Sequence, residues 1–167
     1  MIGLRKFLVA ALLGALLLVS SCAQQAPSRF DQAQQTSTSK GATAVVKDSQ
    51  AGSSFNRYFP GNTGGYERIY SQEKQGFAQA KLKQDGKEVA ILSISDTLNN
   101  PSAKNKFAQS SQKIAGFPAI AQGSNTTAVL VSDRYQVKVR SKDTSFTEED
   151  RQDWLSKFDL RGLSRLK

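Results

Sequence analysis

The sequence predicts an α+β two-layer sandwich: a mainly antiparallel sheet with two helices packed on one face, in the order βββαβββα. Three observations predict it. Residues 76–83 alternate, with Ala78, Ala80 and Leu82 on one side and Gln79, Lys81 and Lys83 on the other, which is the two-residue period of a strand with one buried face. Residues 135–141 repeat the pattern, setting Tyr135, Val137 and Val139 against Gln136, Lys138 and Arg140. Hairpin turns join such strands and only two helical patterns interrupt them, so a sheet with helices on one side fits better than alternating βα units.

Ahead of the domain, Arg5 and Lys6 precede an apolar run over residues 7–19 that ends in Val19-Ser20-Ser21-Cys22. A basic start, a short apolar stretch and small residues before a cut describe an export signal, and the run is too short to span a bilayer comfortably. The ending resembles that of a bacterial lipoprotein precursor, whose motif is an aliphatic residue, two small residues and an obligatory Cys. The resemblance covers only the leader, residues 1–21. It implies cleavage between Ser21 and Cys22, a diacylglyceryl group on the Cys22 thiol and acylation of the new amine. The protein would then be lipid-anchored to the bacterial cell membrane or outer membrane, with its domain on the extracytoplasmic side. Cys22 is the only cysteine, so no intramolecular disulfide is available and acylation would remove a lone reactive thiol. Each buried methylene adds about 0.8 kcal/mol, so two or three chains make attachment effectively permanent.

Residues 22–54 read as the lipidated Cys followed by a polar tether rich in Gln, Ser, Thr, Ala and Gly. Such a composition buries too little apolar surface to offset its ordering entropy. Some thirty flexible residues reach roughly 30 Å. Ala44-Val45-Val46 is the one place where a short edge strand is the alternative.

The domain then occupies residues 55–167. Phe55, Tyr58, Phe59 and Pro60 form a first apolar cluster, a lid over one end of the core. Gly64-Gly65 turns into a strand over 66–72, and 76–83 follows as the alternating strand. Asp85-Gly86 supplies a hairpin turn. Residues 88–95 carry Val89, Ala90, Ile91, Leu92 and Ile94 on both faces, which marks a central strand. Asn100-Pro101 is a cap followed by proline at the first helical position. The helix it opens would bury Ala103, Phe107, Ser111 and Ile114 and end at Gly116. Residues 117–122 return as a strand, with Pro118 at an edge or strand start. Thr126 to Val131, after a Gly123-Ser124-Asn125 turn, and Tyr135 to Ser141 complete the sheet around a Ser132-Asp133-Arg134 turn. Thr147-Glu148-Glu149-Asp150 opens a second helix, with a hydroxyl cap and acids at the positive end of the dipole. Its Trp154, Leu155 and Phe158 face the sheet, and Asp159 caps a final turn carrying Leu160, Leu163 and Leu166.

Composition removes several chemistries. The chain has no histidine and one cysteine, so it offers no Ser-His-Asp triad, no Cys-His pair and none of the usual zinc or copper sites. Its 14 acidic residues are spread too thin for an oxygen-only cation site, and the densest group, at 148–153, is explained as a helix start. Gly61, Gly64 and Gly65 do not form a phosphate-binding loop and precede a strand instead of following one. No catalytic residue, metal or cofactor is assigned, and no small-molecule ligand is identified.

The formal net charge is +9, and the chain stays basic after loss of Arg5 and Lys6. That favours an anionic neighbour: headgroups, acidic glycans or an acidic protein patch. Nucleic acid fits the charge, but an exported, tethered protein rarely meets it. Lys81 and Lys83 on one strand and Lys138 and Arg140 on another form the candidate anion-binding face, provided the strands adjoin; solvated lysines on an antiparallel sheet make the same pattern. A second cluster, Arg151, Lys157, Arg161, Arg165 and Lys167, falls on the C-terminal helices, where dipole compensation also explains it. Phe117-Pro118 and Phe59-Pro60-Gly61 either rim an apolar pocket or close the core. The expectation is a non-enzymatic, membrane-attached binding or accessory module with a protein or anionic envelope partner, possible service to a membrane complex being its most concrete form. The alternatives are recognition of an anionic envelope polymer or lipid, and a metal-independent hydrolase built on a Ser-Lys pair or a lone carboxylate.

Overall fold

The computed structural model describes residues 48–167. The leader, the cut between Ser21 and Cys22, the acylation site at Cys22, most of the polar tether and the Ala44-Val45-Val46 segment lie outside the described residues.

Seven strands form one open antiparallel sheet: β1 (Tyr66–Lys74), β2 (Phe77–Gln84), β3 (Lys87–Asp96), β4 (Lys113–Ile114), β5 (Phe117–Ala121), β6 (Thr126–Val131) and β7 (Tyr135–Ser141). Their spatial order is β1-β2-β3-β7-β6-β5-β4. Two meanders, β1 to β3 and β4 to β7, are thus sewn together along one seam, where Ala90 pairs with Ser141, Leu92 with Val139 and Asp96 with Tyr135. Two residues turn β2 into β3, and three, 132–134, join β6 to β7. Asp85 and Gly86 both take positive φ, 50° and 78°, and so do Ser132 and Asp133, at 51° and 52°. Two successive left-handed residues match the twist of the flanking strands.

Alternation decides which side of each strand is dry. Ala78, Ala80 and Leu82 of β2, Ala90, Leu92 and Ile94 of β3, Val137 and Val139 of β7, and Val129 and Val131 of β6 all point into the main core. Helices α1 (Glu148–Ser156) and α2 (Leu160–Leu163) cover that face, contributing Trp154, Leu155, Leu160 and Leu163, with Phe158 from the connection between them. Each large side chain buried there contributes about 1.5–3 kcal/mol. Alanines on β2 and β3 leave room for aromatics from elsewhere: Phe55 meets Tyr135 edge-on at 5.8 Å, and Phe59 lies 5.2 Å from Phe158. The α1 start is a reciprocal cap. Thr147 Oγ1 accepts from the Asp150 backbone N–H at 3.2 Å, while Asp150 Oδ2 accepts from the Thr147 N–H at 2.7 Å, which satisfies two helix-end donors at once.

The segment after β3 departs from expectation. Pro101–Phe107 begins at the proline but is a 3-10 helix, and no α-helix runs on to Gly116. Its continuation is captured by the neighbouring edge, where the Ala119 N–H donates to the Gln112 carbonyl at 2.9 Å and the Ser110 hydroxyl donates to the Ala119 carbonyl. Ala115 and Gly116, at φ 50° and 91°, make the turn of an unexpected β4–β5 hairpin and not a helix cap. Phe107 and Ile114, assigned above to one helical stripe, therefore part company. Ile114 enters the main core, whereas Phe107 covers Ala128, Leu130 and Ile120 on the opposite face of the sheet. The two helical elements are not stacked on one side. Pro118 is tolerated in β5 because its outer neighbour β4 is only two residues long and demands few donors.

Residues 48–54, grouped above with the tether, are held against the domain. The Gly76 N–H donates to Gln50, and Gly52 opens a 3-10 helix, Gly52–Tyr58. Asp96 organises this end. Its buried carboxylate accepts from Arg134 Nη2 at 2.8 Å, from Arg134 Nε at 3.2 Å, and from the backbone of Gln50 and Leu98 at 3.2 and 3.1 Å. Arg134 also donates to the Asp48 carbonyl at 3.1 Å. The ion pair raises the Arg134 pKa further, chiefly through its hydrogen bonds to Asp96.

Candidate anion-binding face

β2 and β7 are not neighbours; β3 runs between them. Register nevertheless brings their outward residues onto one face in two adjacent rows. Lys81 stands opposite Ile91, and Ile91 opposite Arg140; Gln79 stands opposite Ser93, and Ser93 opposite Lys138. Lys81 and Arg140 are thus two strand spacings apart, about 10 Å.

The four cations divide into two kinds. Lys81 is paired with Glu88 at 3.0 Å, and Lys83 stands opposite the same Glu88 in the register. That carboxylate on β3 cancels much of the charge at the β2 side. Lys138 and Arg140 form no ion pair among the described residues, and Lys138 is half-buried while Arg140 is exposed. Burial lowers the Lys138 pKa, and Arg140 and Lys106 push it further in the same direction. Lys106 arrives from the Pro101–Phe107 segment, which sequence reasoning had placed on the other face.

Two hollows flank Lys138. One, of about 270 Å³, is walled by Phe77, Gln79, Ile91, Ser93, Lys138 and Arg140. The other, of about 320 Å³, extends under the 3-10 segment between Phe77, Ser95, Asn100, Ala103, Gln136 and Lys138. Phe77 and Lys138 belong to both, so the hollows make one groove across the seam between the meanders. Ser93 and Gln136 are largely covered, at 6% and 5% exposure; neither side chain has a hydrogen-bond partner among the described residues, and their polar atoms keep some access to solvent. The small outward side chains of β3, Ser93 and Ser95, create the depression. The signal available in the sequence is the pair of serines on the outward face of residues 89–95, whose other members are Val, Ala, Ile and Leu.

The other candidates become structural. Arg151 is not part of a surface cluster; it is buried, and donates to Thr127 Oγ1 at 3.0 Å, Ser141 Oγ at 2.9 Å and the Ser124 carbonyl at 3.3 Å. Those bonds pin α1 to β6 and β7. Lys157 pairs with Asp153, leaving Arg161, Arg165 and Lys167 as the outer remainder. Phe59 is a core residue and Phe117 packs against the core, so both close it. No helix among the described residues is long and apolar enough to cross a membrane, and no group of three or more Cys, Asp or Glu among them is placed to hold a metal ion. Comparison of the chain with protein-family models, with curated proteins and with solved structures finds no match.

Proposed function

We propose that the chain is a lipid-anchored envelope protein whose domain works by binding and not by catalysis, as an accessory module at an extracytoplasmic membrane surface. The open face of the sheet is its working surface. The observation that carries this reading is the groove at Lys138: two cations without an ion-pair partner among the described residues, beside Ser93 and Gln136, whose polar atoms remain accessible and make no hydrogen bond within the described domain. Those groups line the hollows and are free to meet a ligand that enters them. The anchor rests on the leader and on Cys22. It would confine the domain to a surface and raise its effective concentration near partners on the same membrane.

The test has two arms. Intact mass of the protein from membranes should show cleavage before Cys22 and added acyl mass, both abolished by Cys22→Ala. A photo-crosslinker at Gln79, on the open face, should capture a discrete partner that a crosslinker at exposed Lys113 does not. Capture equal from both positions removes the open face as the working surface. Partners released by salt would favour an anionic envelope polymer or lipid over a protein. A hydrolase is the second reading, because Ser93 and Lys138 are register partners and burial lowers the Lys138 pKa. No hydrogen bond joins them in this structure, and turnover abolished by Ser93→Ala would decide for it.

A further inference from the structure

The groove at Lys138 has the chemistry of a specific ligand site, beyond that of a generally basic surface. Its charge is concentrated. Lys138 and Arg140 lie two residues apart on one strand face, neither ion-paired among the described residues, and none of the described residues lining the first hollow between them and β2 is acidic. Asp96, the one carboxylate lining the second hollow, is committed to Arg134. The other charged groups nearby are cations: Lys106 acts on Lys138, and Lys74 sits on the rim of the second hollow. Ser93 and Gln136 supply a hydroxyl and an amide with open hydrogen-bonding capacity. Phe77 and Ile91 add an apolar wall.

Two cations with adjacent neutral donors suit an oxyanion, since charge-assisted bonds from Arg and Lys are the strong ones and both residues serve phosphate well. The hollow of about 270 Å³ exceeds a bare phosphate, leaving space for an ester stem along Phe77. We propose that this groove is a phosphate site: Lys138 and Arg140 hold a phosphate group in the first hollow, Ser93 completes its hydrogen bonding, and the stem runs along Phe77 toward Gln136 in the second. The proposal rests on the open face being the working surface. Two sources present that chemistry, a soluble phosphate ester and a phospholipid headgroup.

The full-length protein in neutral detergent micelles, isotopically labelled, tests it through the Gln136 side-chain amide and the backbone amides of β3 and β7 at constant ionic strength. One arm titrates inorganic phosphate; the other dopes the micelles with short-chain phosphatidylglycerol. Saturable shifts confined to the groove are expected. Shifts in both arms establish the phosphate group as the ligand, and shifts in one arm identify its source. Lys138→Met and Arg140→Met should each weaken binding roughly tenfold, and Ser93→Ala should weaken it several-fold, whereas Lys113→Met should leave it unchanged. Circular dichroism on each variant separates lost binding from lost fold, and Ser93→Ala, which removes one oxygen, keeps the test sharp if a cation variant unfolds. Absence of saturable shifts in both arms overturns the phosphate site, as does binding that Lys138→Met, Arg140→Met and Ser93→Ala all leave intact. Face-specific crosslinking at Gln79 would survive that failure, so the two readings fall separately.

Discussion

Replacing Arg134 with Met should destabilise the domain by about 3 kcal/mol, because removing one partner of a buried ion pair strands the other charge at a cost of roughly 3–5 kcal/mol. The Asp96 side chain has no solvent exposure, while that of Arg134 keeps 26%, which places the loss at the lower end of that range. Without the guanidinium, the carboxylate retains only the backbone donors of Gln50 and Leu98. Asp96→Asn combined with Arg134→Met leaves no charge to strand and should cost only about 1.5 kcal/mol, a little more than one lost hydrogen bond. The double variant should therefore be more stable than Arg134→Met alone. Urea unfolding followed by Trp154 fluorescence measures both, and at about 4 °C per kcal/mol the single variant should melt roughly 12 °C lower. Hydrogen exchange at the Gln50 amide should accelerate in parallel, since the same carboxylate holds it. A loss below about 1 kcal/mol for Arg134→Met, or a double variant no more stable than the single one, would refute the view that Asp96 is a buried charge held by Arg134.

Gly52→Ala should cost about 2–3 kcal/mol by overpacking, because a Cβ there would lie 2.5 Å from the carbonyl oxygens of both Lys74 and Phe77; a melting temperature equal to that of the wild type would contradict the docking of residues 48–54. Thr147→Ala should lose about 1 kcal/mol through the α1 cap, read by urea titration. Hydrogen bonds from Thr147 depress the Asp150 pKa, so its contribution is complete above the unfolded carboxylate pKa near 4 and is lost as pH falls through the lower folded value. The stability gap between wild type and Asp150→Asn should accordingly close on acidification below about pH 4. Lys138 has the opposite linkage. Its folded pKa lies below the ordinary 10.5, so the native state binds fewer protons than the unfolded chain and stability rises with pH through that interval. Lys138→Met should stabilise the fold by roughly 0.5 kcal/mol at neutral pH, with the advantage shrinking toward pH 10, and unfolding curves at three pH values would show it.

What could be read from the sequence was local. The alternation in β2 and β7, the Asp85-Gly86 turn, the Ser132-Asp133 turn and the Thr147–Asp150 cap each express a short-range physical rule, and each is present in the coarse α+β architecture. What could not be read depended on distant partners. Nothing in β3 announces that its second neighbour is β7, and that pairing decides which cations share a face. The stretch 101–116 carries a helical spacing of Phe107 and Ile114, but its backbone groups bond to β5, and that competition overrides the period. Arg151 resembles an exposed helix cation until Thr127 and Ser141, far off in sequence, supply its partners. Gly52 reads as linker because its packing consists of the absence of a side chain. At the groove, the cations were visible individually, whereas their separation into a Glu88-neutralised pair and an unpaired one required the register.

The seam between β3 and β7 has a consequence for when the groove exists. Phe77 and Ser93 come from the first meander, Gln136, Lys138 and Arg140 from the second, so neither half holds a site alone. Arg134 and Asp96, which clasp the end of this seam, are 38 residues apart, and closing such a loop delays the pairing relative to the local hairpins. β7 is the last strand in the chain. A nascent or extended chain therefore has no groove, and any occupant of the proposed site would meet only a chain whose two meanders have joined.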